Sequence, residues 1–149
     1  DLMLLVDVLE HIPNNLEAIE WIYEHLNDGG YAILTAPAHM FFWSDMDDVV
    51  QHYLRYERNN FLSLFKNRFN IIYFSFYNMF LFPVKVAFAF INKVIRLILP
   101  QMQKRSYNDV PPRIINSLFK RVIYIEAWMI KHGIPIPFGV SMVLLVQKR

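Results

Sequence analysis

Three side chains that could bind a ligand or move a proton follow the first apolar segment of the chain. Leu2 to Val6 is continuously apolar, as in a strand buried on both faces of a parallel sheet. Asp7, Glu10 and His11 come directly after this segment. Because ligands of open α/β sheets bind at the carboxyl ends of the strands, these residues predict one wall of a binding crevice. His11 is a candidate general base, and the alternative is a capping or supporting role on the same turn.

A second group of polar and aromatic side chains occupies residues 38–56, AHMFFWSDMDDVVQHYLRY. The segment follows another predicted strand, Tyr31 to Ala36, so it should lie over the same crevice. Its aromatic rings could exclude water, while His39, His52 or Tyr56 could take a proton from an acceptor hydroxyl. The alternative is an ordered surface loop without a chemical role.

Metal binding is not predicted from either group. His39, Asp45, Asp47 and His52 lack the tight spacing that is typical of metal-ligand motifs. The chain also has no cysteine. Disulfides, thiolate chemistry and zinc sites of the cysteine type are therefore excluded, and the composition fits the reducing conditions of the cytoplasm.

Charge is divided unequally along the chain, although the formal net charge is only +2. Residues 1–77 carry eleven acidic and four basic side chains, whereas residues 78–149 carry eleven basic and two acidic ones. The basic half is therefore expected to meet an anionic partner, with a solvated basic face as the alternative. Its basic residues stand among long apolar stretches, which favours lipid or protein over nucleic acid as that partner.

The other elements are predicted from hydrophobic periodicity and turn residues. In chain order they are a helix capped by Asn14 or Asn15, a strand over Tyr31 to Ala36, a short helix over Asn60 to Lys66, a strand over Asn70 to Phe76, a helix from Pro111-Pro112 to about His132 and a strand over Val140 to Val146. The first helix ends at Asp28-Gly29-Gly30, because glycine adopts the left-handed conformation at little cost. Residues 100–110 are predicted to form a loop.

Met79 to Leu99 is nearly continuous apolar sequence and has three interpretations. Its length would allow a membrane span, but four polar residues interrupt it, and charges at the bilayer centre are costly. They share one side of a helical wheel, as in a helix that lies in a membrane interface. These residues are Lys85, Asn92, Lys93 and Arg96. The third interpretation is a helix packed on the sheet. Residues 79–99 and 111–132 are accordingly candidate contacts with a membrane surface.

The order of elements, with several sequence stretches, resembles the carboxyl-terminal half of a Rossmann-like, class I S-adenosylmethionine-dependent methyltransferase. The stretches are LLVDVLEHIP at 4–13, LNDGGYAILTAP at 26–37 and HMFFWSDMDDVVQHYLRY at 39–56. The first two resemble the fourth and fifth strands of that fold, and the third resembles a segment that follows the fifth strand in one subgroup. FGVSMVLLVQKR at 138–149 resembles the final strand, which pairs antiparallel with the strand before it.

Two features depart from the family pattern. Gln51 and Leu54 stand where the subgroup has a glycine and an arginine on either side of its second histidine. The glycine-rich turn that cradles the cofactor has no counterpart, since Gly29-Gly30 lies at the opposite end of the sheet. The resemblance therefore implies that the amino-terminal half of the domain is missing. Leu2 to Val6 would then be an unpaired apolar edge.

The resemblance implies an α/β fold, with a partial Rossmann-like methyltransferase sheet, an antiparallel final hairpin and a helical insertion at about 78–137 between the last two strands. Residues 1–149 would be the carboxyl-terminal part of one domain. Val6, Asp7 and Val8 would line the S-adenosylmethionine site. The candidate catalytic residues are His11, His39, His52 and Tyr56.

The expected function is S-adenosylmethionine-dependent methyl transfer to a small or lipid-linked acceptor, by a fragment that is inactive alone. The expected location is the cytoplasm, with peripheral membrane contact. The alternative is a non-catalytic methyltransferase-like module that binds a partner chain or an anionic membrane surface. A nucleotide-dependent reductase would need a Tyr-x-x-x-Lys pair, which the sequence lacks.

Overall fold

The computed structural model describes residues 1–98 and 112–149. Its strands are β1 (Leu2–Val6), β2 (Tyr31–Pro37), β3 (Phe69–Tyr77) and β4 (Ser141–Lys148). The helices of the described residues are α1 (Asn15–His25), α2 (Asp45–Val49), α3 (Arg58–Ser63), α4 (Phe82–Ile98) and α5 (Arg113–Lys131). Short 3-10 turns cover Leu9–His11 and Met40–Phe42.

The predicted boundaries differ from the observed ones by a few residues at most. The largest shift is in α3, which ends at Ser63 rather than Lys66 because the chain turns there toward β3. The predicted ends of the two long helices at Leu99 and Pro111, and the predicted loop at 100–110, lie outside the described residues.

Helix α1 begins where its capping residue predicts and ends at His25, shortly before the predicted Asp28-Gly29-Gly30 stop. The Asn14 side chain accepts a hydrogen bond from the backbone N–H of Glu17 at 3.5 Å. Gly29 has a φ of 75°, which a side chain with Cβ adopts only with strain. The turn at Gly29 therefore lets the chain reverse directly from α1 into β2.

The strands form one mixed sheet in the order β1-β2-β4-β3. β1 and β2 pair in parallel, with Leu4 opposite Ile33. β4 lies between β2 and β3 and runs antiparallel to both. The predicted α/β class and the antiparallel pairing of the final strand are confirmed by this topology.

A single hydrophobic core covers one face of the sheet. Alternate residues of β2 and β4 are buried there, and α1 packs Ile19 and Ile22 against them. Phe61 and Phe65, from α3 and the turn after it, complete this core. The buried strand residues are Ala32, Leu34, Ala36, Met142, Leu144 and Val146.

The expectation that β1 is buried on both faces is wrong for this chain. Leu4 and Val6 are each 61% exposed, and Leu2 is exposed with them. Within the described residues β1 has a neighbouring strand on one side only, so nothing covers these side chains. β1 is therefore an apolar edge strand, which is the other expectation drawn from the resemblance.

Helix α4 leaves much of its apolar side exposed, while Lys85 and Lys93 contact the body of the protein. Lys85 is half-buried, and burial, followed by the nearby Arg55 charge, lowers the pKa of Lys85. Lys93 Nζ lies 4.0 Å from the centre of the Phe41 ring. The exposed apolar residues of α4 are Val84, Phe88, Phe90, Ile91, Val94, Leu97 and Ile98.

One of the three interpretations of the 79–99 segment is contradicted by the structure. A helix packed on the sheet through its apolar side is excluded by the exposure of that side in α4. Among the described residues, no helix combines the length and the apolar character that crossing a membrane requires.

Ser75 of β3 joins this strand to the segment that leads into β4. Its buried Oγ accepts a hydrogen bond from the Ile136 N–H at 2.8 Å and donates one to the Phe76 carbonyl at 2.8 Å. The Phe76 N–H in turn donates to the Ile136 carbonyl at 3.1 Å. This network fixes the end of the helical region against the edge of the sheet.

Replacing Ser75 by alanine should destabilise the protein by about 1–3 kcal/mol, because the Ile136 N–H is left buried without its acceptor. Urea unfolding followed by circular dichroism measures this change. The matched control is Ser63→Ala, since the Ser63 hydroxyl is exposed and donates to Asn60 O at 2.7 Å. We expect the control to change stability by less than about 0.5 kcal/mol. Equal losses in both variants would contradict the role given to Ser75.

Candidate functional site

The backbone turns sharply where β1 ends. Asp7 has a φ of 51°, in the left-handed region that aspartate tolerates better than most residues. Thr35 of β2 holds this turn, because its Oγ1 accepts from the Asp7 N–H at 2.9 Å and donates to Asp7 Oδ1 at 2.8 Å. The chain then enters the Leu9–His11 turn, in which Glu10 is fully buried.

Residues 38–56 fold back over the end of β1. The Tyr56 N–H donates to the Pro37 carbonyl at 2.9 Å, and the His39 N–H donates to the Tyr56 carbonyl at 2.9 Å, so the two ends of the segment are paired. The Tyr53 N–H donates to the Glu10 carbonyl at 2.7 Å. This last bond places the segment beside the Leu9–His11 turn, at the crevice where the strand order predicted it.

The Asp47 carboxylate is the centre of a buried polar network. Its side chain is 1% exposed. Oδ1 accepts from Arg55 Nε at 2.7 Å and from His52 Nδ1 at 2.9 Å. Oδ2 accepts from the Ser44 backbone N–H at 2.8 Å and from Ser44 Oγ at 3.0 Å, which caps the start of α2.

These partners keep Asp47 ionised. Burial alone would raise its pKa, but the Arg55 guanidinium, the His52 ring N–H and the Ser44 N–H outweigh burial and lower the pKa below its usual value. An ionised carboxylate only accepts hydrogen bonds, so His52 donates from Nδ1, and in the neutral ring Nε2 is then the acceptor atom. The free electron pair of His52 Nε2 is therefore available to a ligand or a proton.

His52 Nε2 points into a cluster with Glu10 and His11. The distance from His52 Nε2 to Glu10 Oε1 is 4.0 Å. The rings of His11 and His52 meet edge to face, with centroids 4.7 Å apart. The Glu10 carboxylate is buried, and neither of its oxygens has a hydrogen-bond partner among the described residues.

The surroundings of Glu10 disfavour its ionised form. Burial is the largest cause that raises the pKa of Glu10, and the Asp7 charge raises it further. Its own backbone N–H and the neighbouring His52 and His11 offset part of this effect. A cation placed between Glu10 and the two histidines would remove this electrostatic cost.

His39 and Tyr56 occupy different surroundings from this cluster. His39 Nδ1 lies 3.1 Å from Glu57 Oε2, and its ring stacks on Phe76 with centroids 5.6 Å apart. Tyr56 is buried in the hydrophobic core. The Asn15 amide nitrogen donates to the Leu9 and Ile12 carbonyls, and in this orientation the amide oxygen accepts from the Tyr56 hydroxyl at 2.7 Å. Burial, and next the Glu10 charge, raise the pKa of Tyr56 far above its usual value.

The predicted cofactor residues stand at the open end of β1. The side chains of Val6, Asp7 and Val8 are exposed, so they can be covered by a ligand. Tyr77, at the end of β3, borders the same edge of the sheet, and burial, with the Asp7 charge adding to it, raises the pKa of Tyr77. No pattern in the sequence singles out Tyr77.

The sequence does not predict the pairing of Asp47 with Arg55. From the sequence, Asp47 is considered only as a metal ligand, and Arg55 only as part of the 38–56 segment that lies over the crevice. One local signal was available: Ser44 and Asp47 have the spacing of a capping box, which marks Asp47 as a carboxylate turned back toward a helix start. The pairing with Arg55 has no such signal in the sequence.

The family comparison agrees with the predicted resemblance. Residues 1–72 match the family model described as a methyltransferase domain. Among solved structures, the crystal structure of MccD protein matches with a TM-score of 0.48 and 13% sequence identity. That match covers 98% of this chain and 60% of the other, so the chain spans less than two thirds of it. A search of curated proteins finds no match.

Residues 1–72 are therefore similar to a methyltransferase domain. The family match includes β1, α1 and β2 together with Glu10, His11 and His52, and it ends within β3. The mixed sheet, in which β4 inserts antiparallel between β2 and β3, supplies the partial Rossmann-like architecture.

Replacing Asp47 by asparagine should lower the free energy of unfolding by about 3–5 kcal/mol at neutral pH, because Arg55 would remain buried without a counter-charge. The folded pKa of Asp47 lies below its unfolded value of about 3.9, so its contribution is present above that pH and is lost as the pH falls through the folded pKa. The difference between wild type and variant should therefore narrow in acid.

Chemical denaturation at several pH values tests this expectation. Asp28→Asn is the matched control, because the Asp28 side chain is 91% exposed and lies 3.4 Å from Lys148 Nζ. An exposed pair of this kind contributes little. A loss for Asp47→Asn no larger than that of the control would show that the network does not hold the site together.

Proposed function

We propose that this chain is the carboxyl-terminal part of an enzyme that transfers the methyl group of S-adenosylmethionine to a small or lipid-linked acceptor. The observation that carries the proposal is the methyltransferase family match over 1–72, the segment that also contains the polar cluster at the end of β1. In this proposal, residues 1–149 belong to one domain, with an insertion at about 78–137.

The residues present suit one side of a cofactor site. The left-handed turn at Asp7 exposes the carboxyl end of β1, where the side chains of Val6 and Val8 are open to a ligand. The four glycines of the sequence stand at 29, 30, 133 and 139, all before a strand rather than after one. A glycine-rich turn on the other side of the cofactor would have to come from outside this sequence.

S-adenosylmethionine supplies an electrophilic methyl group on a sulfonium centre. The protein's task is to align the acceptor with that methyl and to receive the acceptor's proton, and alignment contributes most of the rate. The proposal gives proton acceptance to the cluster of Glu10, His11 and His52, with Asp47 holding the His52 ring. His39 and Tyr56, held by Glu57 and Asn15, would shape the surrounding wall.

The two long helices suggest an amphiphilic acceptor. α5 exposes Ile123, Ile125 and Trp128, as α4 exposes its apolar side. Arg113 and Arg121 border an open depression on α5. Large exposed apolar areas that carry basic residues suit the surface of an anionic membrane. Peripheral contact with a cytoplasmic membrane surface is therefore part of the proposal.

The same helices support a second candidate function. A methyltransferase-like module without cofactor could use them only to bind an anionic membrane surface. The exposed apolar sides of α4 and α5 favour membrane binding. Cofactor binding separates the two candidates.

The natural full-length protein that contains this sequence should bind S-adenosylmethionine. Asp7→Ala should weaken that binding at least 10-fold, since it removes the carboxylate and the Thr35 contact that shape the strand end. Isothermal titration calorimetry measures the affinity. Asp28→Ala is the control, because Asp28 lies on the turn at the opposite end of β2. Absence of binding in the full-length protein would support the non-catalytic module instead.

Vesicles that contain anionic lipid should capture the protein at low salt, and vesicles of neutral lipid should capture much less. Phe88→Ser combined with Leu97→Ser should reduce capture at least 10-fold, because both side chains lie on the exposed apolar side of α4. Leu16→Ser is the control, an exposed leucine on α1. Flotation measures bound protein. Equal capture by both lipid compositions, or none at low salt, would contradict the membrane contact.

A further inference from the structure

The Glu10 carboxylate is buried at a cost that the protein alone does not offset. The residue is 0% exposed, and both oxygens lack a hydrogen-bond partner among residues 1–98 and 112–149. Arg55, a buried cation of the same region, is bound to Asp47 at 2.7 Å. Buried carboxylates are normally paired, hydrogen-bonded or bound to a metal ion. A bound cation would offset the cost of burying the ionised form of Glu10.

Two histidines supply the remaining ligands of a metal site. One ligand atom each from Glu10, His11 and His52 lies within 4.8 Å of the other two. The separation of 4.0 Å between His52 Nε2 and Glu10 Oε1 is too long for a hydrogen bond. Metal–ligand bonds of about 2.0–2.2 Å would bring both atoms onto one ion with small side-chain rotations.

The contacts around Asp47 orient His52 for metal binding. His52 donates its Nδ1–H to Asp47 at 2.9 Å, which leaves Nε2 as the atom that faces Glu10. A carboxylate that binds the far ring nitrogen is the usual support of a histidine metal ligand. Asp47 is itself fixed by Arg55 and Ser44, so the His52 ring is held in place before any ion arrives.

We propose that Glu10, His11 and His52 bind one divalent first-row transition-metal ion, of the class of Mn²⁺, Fe²⁺, Co²⁺ or Zn²⁺. Two imidazoles and one carboxylate favour these ions over Mg²⁺ and Ca²⁺, which prefer oxygen ligands. His11 is exposed, which gives the ion a path from solvent and leaves coordination positions open. The sequence predicted no metal, because Glu10 and His52 are far apart in the chain.

The role of the ion rests on the proposed function. An acceptor oxygen bound at an open position would lose its proton more readily, because a divalent ion stabilises the oxyanion. The histidines would then act as ligands rather than as free bases. This assignment is compatible with methyl transfer but does not depend on the cofactor, so the ion can be tested by itself.

The test titrates CoCl₂ into the full-length protein after chelator treatment. Co²⁺ bound by nitrogen and oxygen ligands gives visible d–d absorption, and we expect one ion per chain. Glu10→Gln, His11→Ala and His52→Ala should each weaken Co²⁺ binding at least 10-fold. Glu10→Gln keeps the shape of the side chain, so it guards against loss of folding. His25→Ala is the control, since the His25 ring stacks on Trp21 and its Nδ1 bonds the Trp21 carbonyl.

The outcomes distinguish a failure of the metal proposal from a failure of the proposed methyl transfer. Binding that is lost in the three variants and kept in His25→Ala supports the site. Absence of Co²⁺ absorption at about millimolar ion, or equal binding by all variants, overturns it. Methyl transfer that continues in the presence of chelator and still falls in His52→Ala also overturns it, while leaving His52 as a free base and the proposed function intact.

Discussion

The strand-end site depends on one buried ion pair, Asp47 with Arg55. Neither charge could remain in the interior without the other, because the cost of removing an ion from water exceeds what a single hydrogen bond returns. Arg55 also donates to the Ala38 carbonyl at 3.4 Å, so the pair joins the start of the 38–56 segment to its end. The orientation of His52 follows from this pair, since the same carboxylate oxygen accepts from both side chains.

The local elements could be predicted because their signals are local. The Asn14 cap, the left-handed Gly29 and the apolar runs of β2 and β4 depend only on neighbouring residues, and the structure agrees with each. The exposure of β1 could not be read from its composition, because an apolar strand looks the same at the centre and at the edge of a sheet. The site was predicted as a region rather than as a set of contacts. The meeting of His52 with Glu10 depends on the backbone bond from Tyr53 to Glu10, for which the sequence carries no motif.

Among the described residues, the free edge of β1 and the apolar side of α4 are uncovered, and their backbones suit different partners. The free edge of β1 presents peptide N–H and C=O groups beside Leu4 and Val6. Such an edge is satisfied by another strand and is disfavoured in lipid, where unpaired peptide groups are costly. The peptide groups within α4 are bonded inside the helix, and only its side chains face outward. That helix can therefore meet hydrocarbon or apolar protein without a backbone penalty.

The two parts of the sequence that carry these surfaces also differ in charge. The half that contains the strand-end site carries eleven acidic side chains against four basic ones, and the half that contains α4 and α5 carries the opposite excess. Near an anionic surface the first half is repelled and the second attracted, over a distance of about 8–10 Å at physiological salt. In the proposed membrane contact, the apolar sides of α4 and α5 would face the surface. An amphiphilic acceptor held at that surface would then have to extend its polar end past α4 toward Lys85 and the His52 ring.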